Sequence, residues 1–228
     1  MTETHVDNLE TPVAPGLELQ VVGATPASNV ASPTLVFNLR ADEPTGREVY
    51  MVALSTLIHI DPGLRAHDAE TRELLVDLFG TPERWAATTT PVVWAELDML
   101  VPSFTSEVEF ELRVPCNYDL EVASTKYLYA LPDGDVPLSF HFSGRIFYRG
   151  DNGRLQVVFV PWTTAVFRLP VETWKQMIEQ HYPRSGWIRL QDETLRALQL
   201  HKARRGLPTF DGAVSELLEA TDRSEAES

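Results

Sequence analysis

The chain has 228 residues, a formal net charge of −14 and an apolar fraction of 43%. That length and composition bury a core without covalent staples, and the single cysteine, Cys116, excludes a disulfide within the chain. The acidity excludes generic attachment to nucleic acid or an anionic membrane, and no run approaches the roughly 18 apolar residues that a spanning helix needs.

The first residues, MTETHVDNLETP, carry Glu3, Asp7 and Glu10 and no basic or apolar signal region, so a flexible arm over 1–15 and a cytoplasmic location are expected. Strands are predicted over Leu17–Val22 and Thr34–Arg40. A third, Val49–Ile60, is apolar on both parities, the pattern of a central strand covered at least partly on both sides, and Asp61-Pro62-Gly63 ends it as a turn. Over Ala69–Phe79 the period changes: Leu74, Leu75 and Leu78 recur at helical spacing before Gly80 and Pro82, which predicts a helical insert between strands. Pro91–Val101 fits a strand or a buried loop.

Ser106–Val114 alternates most cleanly, with Val108, Phe110, Leu112 and Val114 on one side and Glu107, Glu109, Glu111 and Arg113 on the other. Tyr118–Val122 keeps the same period. Val136–Tyr148 and Arg154–Val160 read as a hairpin turned at Gly150–Gly153, and Thr163–Leu169 as a last strand. After Pro170, Trp174, Met177, Ile178 and His181 fall on one helical face, which Pro183 terminates. Trp187–Leu190 is a short extended piece. Asp192–Arg205 is a second helix with Gly206 past its end, and Thr209 is placed to cap a third. The predicted fold is α+β: an antiparallel β-sheet core, two-layer and sandwich-like, with a helical insert and C-terminal helices packed on it. One domain is expected over 16–220, mainly β over 16–169 and mainly helical over 170–220, followed by a disordered tail over 221–228.

Known catalytic signatures are absent: no phosphate-binding glycine loop, nucleophile elbow or paired-histidine zinc motif occurs. Cys116 has no second cysteine to share a metal, and nothing local activates it. No cofactor and no metal are expected. If the β body holds a pocket, its first candidates are His59 and Asp61 at one strand end, Cys116, and His141, which shares a strand face with Ser139, Ser143 and Arg145. The stronger local signal lies further on. Residues 184–205 set Arg184, Arg189, Arg196, Lys202, Arg204 and Arg205 against only Asp192 and Glu193, on an acidic chain. With Tyr182 and Trp187 they predict an aromatic–arginine surface for a protein partner, made by Tyr182, Arg184, Trp187, Arg189, Lys202, Arg204 and Arg205. Trp162, Trp174 and Trp187 are expected to gather at the strand-to-helix junction.

Four stretches carry a family resemblance: Val114-Pro115-Cys116-Asn117-Tyr118-Asp119, Ala123-Ser124-Thr125-Lys126-Tyr127, Tyr182-Pro183-Arg184-Ser185-Gly186-Trp187 and Lys202-Ala203-Arg204-Arg205-Gly206-Leu207-Pro208-Thr209. Through them the chain resembles an uncharacterised, mainly actinobacterial protein family over roughly residues 15–220, some of whose members are encoded near [NiFe]-hydrogenase genes. The resemblance implies an accessory or assembly role and a hydrogenase-related protein partner, and it carries over no catalytic residue. The order of strands and trailing helices is also loosely similar to SecB-type export chaperones. The expected function is a non-enzymatic protein-binding or assembly factor with no nucleic-acid partner and no membrane insertion. The alternatives are a small-ligand protein or enzyme with its site in the β body, and a structural subunit or SecB-like holding chaperone.

Overall fold

A computed structural model describes residues 14–117, 119, 122–185 and 188–226. The chain divides into two compact units, Met1–Gly186 and Trp187–Ser228.

The first unit is built on two antiparallel sheets. β1 (Glu18–Pro26), β2 (Thr34–Asp42) and β6 (Glu107–Pro115) form a three-stranded sheet in the order β1-β2-β6. β3 (Glu48–Ile60), β4 (Val92–Val101), β7 (Asp135–Arg149) and β8 (Leu155–Pro170) form the second sheet in the order β4-β3-β7-β8, with the short β5 (Phe104–Thr105) added to β3. The α+β expectation holds, with an antiparallel core and a C-terminal helix packed on it. Phe37 of β2 sits where the sheets meet, its ring 5.1 Å from Phe140 of β7 and 6.0 Å from both Trp94 of β4 and Phe167 of β8. Edge-to-face packing of this kind adds to the burial of large apolar surface.

β6 alternates as its sequence requires, with Leu112 and Val114 buried and Glu107, Glu109, Glu111 and Arg113 exposed. β3 is interior, as expected, but a register shift between Val49 and Met51 changes which parity is inside: Val49 and Val52 are buried while Tyr50 is exposed. β8 joins the two strands expected over Arg154–Val160 and Thr163–Leu169 into one, passing through Pro161 opposite a register shift between Phe142 and Gly144. On an edge strand a proline with no N–H is tolerated.

The turn from β2 to β3 is organised by Glu43, whose side chain lies buried at 3% exposure. Its Oε1 accepts from the backbone N–H groups of Gly16 and Thr45 and from the Thr45 hydroxyl, and its Oε2 accepts from Arg47 N at 2.8 Å. Burial pushes the carboxyl pKa up, but the hydrogen bonds outweigh it and hold the group below its ordinary value.

The insert between β3 and β4 is helical, but not as one helix. α1 (Ala69–Leu74) and α2 (Val76–Phe79) break at Leu75, and α3 (Trp85–Thr88) follows. Of the predicted stripe, Leu75 is buried and Leu78 packs against the core, but Leu74 is exposed, and Thr71 and Phe79 complete the buried side. Asp68 caps α1 by accepting from Thr71 N at 2.7 Å. Of the strand expected over Tyr118–Val122, residues Tyr118, Leu120 and Glu121 lie outside the described residues. Directly after it comes α4 (Ala123–Tyr129), which no periodicity announced.

The insert and α4 meet at a polar contact inside an aromatic cluster. Tyr127 of α4 is fully buried, and its hydroxyl lies 2.9 Å from His67 Nε2. Phe79 and Trp85 pack around the pair. Burial, with the guanidiniums of Arg65 and Arg72 nearby, holds the His67 pKa down at about 4. The folded protein therefore keeps His67 neutral where the unfolded chain, titrating near 6.5, takes up a proton. This contribution to stability is complete above pH about 6.5 and is lost as the pH falls from there toward 4. Denaturation curves at stepped pH should show that decline, and His67→Asn should remove it. Tyr127→Phe, which strips the imidazole of its partner, should cost about 1–2 kcal/mol at neutral pH.

α5 (Val171–His181) follows β8 and buries Val171, Trp174, Met177 and Ile178 against the core, as its spacing predicts. The second unit is a helical hairpin. α6 (Asp192–Arg205) ends at Gly206, which adopts the left-handed conformation with φ 67°, and α7 (Phe210–Ala226) begins after Thr209, whose hydroxyl accepts from Gly212 N at 3.1 Å. α7 runs past the boundary expected at 220. No helix of the described residues is long and apolar enough to cross a membrane.

Candidate functional site

Cross-strand pairing in the second sheet defines two faces. The inner face carries Ile58, Phe140, Phe142 and Ile146, all wholly buried. On the outer face, β3 places Ala53, Ser55, Leu57 and His59 beside Arg145, Ser143, His141 and Ser139 of β7. β4 adds Leu100, Asp98, Glu96 and Val93 along one side, and β8 adds Phe159, Trp162, Thr164 and Val166 along the other.

This outer face is apolar at its β8 margin. Phe159 is 71% exposed, Trp162 65% and Val166 76%. Val157 and Leu155 continue the margin, also exposed. The guanidinium of Arg145 lies 5.6 Å from the centre of the Phe159 ring, so the margin joins aromatic surface to positive charge. Between the margins runs a shallow groove lined by Ser55, Asp98, Ser143, Arg145 and Phe159. Its polar floor is already paired in part, because Ser55 donates to Asp98.

Two of the sequence candidates meet at the centre of this face. The rings of His59 and His141 lie 5.0 Å apart, edge to face. His141 also stacks on Trp162 at 5.7 Å, and its Nδ1 is 3.0 Å from Thr164 Oγ1. Asp61 stands at the end of the same strand as His59 and accepts from the Ser139 hydroxyl. Cys116 is not part of this group. It is buried at the end of β6 in the other sheet, with its thiol bonded to Val114 O and its pKa pushed up to about 12 by burial. Such a thiol is a poor nucleophile at neutral pH. Among the described residues no cluster of three or more potential ligands could hold a metal ion.

The residues expected to form the aromatic–arginine surface divide between the two units. Tyr182 and Arg184 end the first unit, where Tyr129, Trp174, Lys175 and Glu179 line a groove with them. Arg184 has a left-handed backbone with φ 52°, and its N–H donates to Glu179 Oε2 at 3.1 Å. Trp187 lies outside the described residues. Arg189, Lys202, Arg204 and Arg205 belong to the second unit. There Lys202 Nζ lies 5.5 Å from the Phe210 ring centre and Arg205 pairs with Glu216 at 2.5 Å. The tryptophans do not share one cluster: Trp174 is buried beside Tyr129, whereas Trp162 is exposed beside His141. Phe159, Val166 and Leu100 were not among the sequence candidates. Their alternation was legible, but it did not say that the face stays uncovered.

The profile of a family of unknown function, DUF6084, matches residues 14–226, and the chain belongs to that family. No curated protein matches its sequence. Among solved structures, the chain is similar to the ApaA protein from Bordetella pertussis, with 11% identity, a TM-score of 0.26 and coverage of 66% of this chain and 92% of that one. It is also similar to the CARDB domain of the PF1109 protein from Pyrococcus furiosus, solved with di-metal ions, with 9% identity, a TM-score of 0.25 and coverage of 75% and 98%. Likeness at this level transfers neither ligand nor activity.

Proposed function

We propose that this member of the DUF6084 family is a binding or assembly factor that docks a partner protein on the outer face of its five-stranded sheet. The observation that carries the reading is the β8 margin, where Phe159, Trp162 and Val166 are among the most exposed large apolar side chains of the described residues. Contiguous apolar surface of this kind, bordered by polar groups, marks an interaction site. An exposed Trp stacked on a His, beside an Arg held over a Phe, supplies the residue types that dominate binding energy when a partner excludes water from them.

The partner that fits is a basic amphipathic helix. A helix laid on the sheet meets the apolar margin with its own apolar stripe. Positive charge on its flank suits Glu96 and Asp98 across the groove and the −14 of the chain as a whole, which also speeds encounter. The hydrogenase-related partner implied by the family resemblance is the first class to screen.

The test is co-purification from native extract with wild type and a Phe159→Ala, Trp162→Ala variant, with cross-linking from position 164 to map the partner's contact segment. Both side chains are exposed, so the variant should keep its β-rich circular dichroism. The expected result is at least a roughly tenfold drop in recovery and cross-links confined to a basic helix. Undiminished recovery by the folded variant, or cross-links to a different kind of segment, overturns the proposal.

A further inference from the structure

The outer face of the second sheet also holds a feature that needs no partner protein. His59 of β3 and His141 of β7 are both half-buried, with ring centres 5.0 Å apart and ring planes inclined at 72°. Among the described residues no other two imidazoles are in contact: His67 bonds to Tyr127, His181 to the carbonyls of Met177 and Val30, and His201 lies 4.0 Å from Glu216. Strand register creates the pair. His59 lies opposite Ser139 and His141 opposite Leu57, which sets the two imidazoles diagonally across neighbouring strands.

That separation suits a shared metal ion. Two imidazole nitrogens bound about 2.1 Å from one ion, at about 90–110° to each other, place their ring centres about 4.5–5.2 Å apart. A ligating nitrogen holds the ion in its ring plane, and planes inclined at 72° have a line in common, whereas parallel rings have none. The two nitrogens of His141 have different tasks. Its Nδ1 lies 3.0 Å from Thr164 Oγ1. When Nδ1 holds the proton and donates to that hydroxyl, the lone pair is on Nε2, and Trp162, stacked on the ring at 5.7 Å, steadies its plane. The ring of His59 has no protein hydrogen bond among the described residues, so either nitrogen can turn to the ion. Negative charge is at hand. Asp61 accepts from Ser139, the cross-strand neighbour of His59, and Glu96 lies in the same cross-strand row as His141.

We propose that His59 and His141 form a two-histidine site for a divalent transition ion of the borderline class, such as Zn²⁺ or Cu²⁺, with Thr164 as a positioning residue and water in the remaining positions. Imidazole nitrogens select such ions over the hard Mg²⁺ and Ca²⁺, which take oxygen ligands. Two ligands hold an ion less firmly than the full set of a closed site, so the ion exchanges with solution. The second imidazole nevertheless binds intramolecularly once the first is attached, so each histidine multiplies the affinity that the other confers.

Calorimetric titration of the full-length protein with Zn²⁺, in excess Mg²⁺ and without any partner, tests this. Wild type should bind Zn²⁺ at this site. His59→Gln and His141→Gln, each checked for retained β-rich circular dichroism, should each weaken that binding roughly tenfold or more, and His201→Gln should not. Thr164→Val should weaken it roughly tenfold, and Thr164→Ser should restore it. Cu²⁺ provides a local readout, because it quenches an adjacent indole. Part of the wild-type fluorescence should be quenched on Cu²⁺ binding, and Trp162→Phe should lose that part while still binding Zn²⁺. No Zn²⁺ uptake by wild type, undiminished uptake by either folded His59→Gln or His141→Gln, or an equal loss in His201→Gln overturns the proposal. Docking on the sheet face is read separately, through partner recovery, so either reading can fail without the other.

Discussion

Replacing Gly144 with alanine should prevent the first unit from folding normally, at a cost of more than about 4 kcal/mol. Gly144 lies in β7, paired with Leu54 of β3 on one side and Val160 of β8 on the other, next to the β7–β8 register shift. A Cβ built there would stand 2.1 Å from the Ala53 carbonyl oxygen and 3.2 Å from Leu54 Cα. Both obstacles are backbone of an interior strand, so relief requires β3 and β7 to separate. That separation would disturb the inner face, where Leu54, Phe142 and Ile146 are buried, as well as the groove on the outer face. The comparison is Gly153→Ala in the β7–β8 turn, where the backbone is left-handed with φ 72° and the space is open. That change should cost only about 1–2 kcal/mol. Urea denaturation of both variants decides the matter: a Gly144→Ala protein as stable as Gly153→Ala would show that the strands have room the packing denies.

Glu43→Gln should cost about 2–4 kcal/mol and alter the response to acid. Every donor around Glu43 is an N–H or O–H group pointing inward, so a carboxylate satisfies all of them. The glutamine amide replaces one acceptor with a donor, which then faces another donor in a buried site. The wild-type carboxyl is held below its ordinary 4.5, so its contribution is present above that pH and is lost as the pH falls through the lower folded value. In acid titrations of stability, wild type and variant should therefore converge below pH 4.5. A constant gap between them down to the acid limit would mean that the charge of Glu43 contributes nothing.

Local pattern and tertiary context separate clearly in this chain. The alternation over Ser106–Val114 found β6, and the four-residue spacing of Trp174 and Ile178 found α5. Gly206 and Thr209 marked the ends of α6 and α7 because their signals are local: a left-handed residue and a capping hydroxyl act within a turn of where they stand. No periodicity announces α4 because its buried side includes the polar Ser124 and Thr125 beside Tyr127 and Leu128, so hydrophobicity does not trace the face that packs inward. β8 looked like two strands because Pro161 interrupts the pattern, and only its place at the sheet edge makes that proline tolerable.

The candidate site divides in the same way. Parity alone put His141 with Ser139, Ser143 and Arg145 on one face. Bringing His59 to His141 took the β3–β7 register, and sending Cys116 to the other sheet took the topology, neither of which a period of two encodes. The sequence by itself determined that this is an acidic, antiparallel α+β protein with a helical end, because charge, alternation and capping are properties of neighbouring residues. Only the tertiary structure decided which strand faces are covered. Phe140 and Phe159 are equally apolar in the sequence, yet one is sealed between the sheets and the other meets solvent, since burial depends on what the rest of the chain stacks against a face.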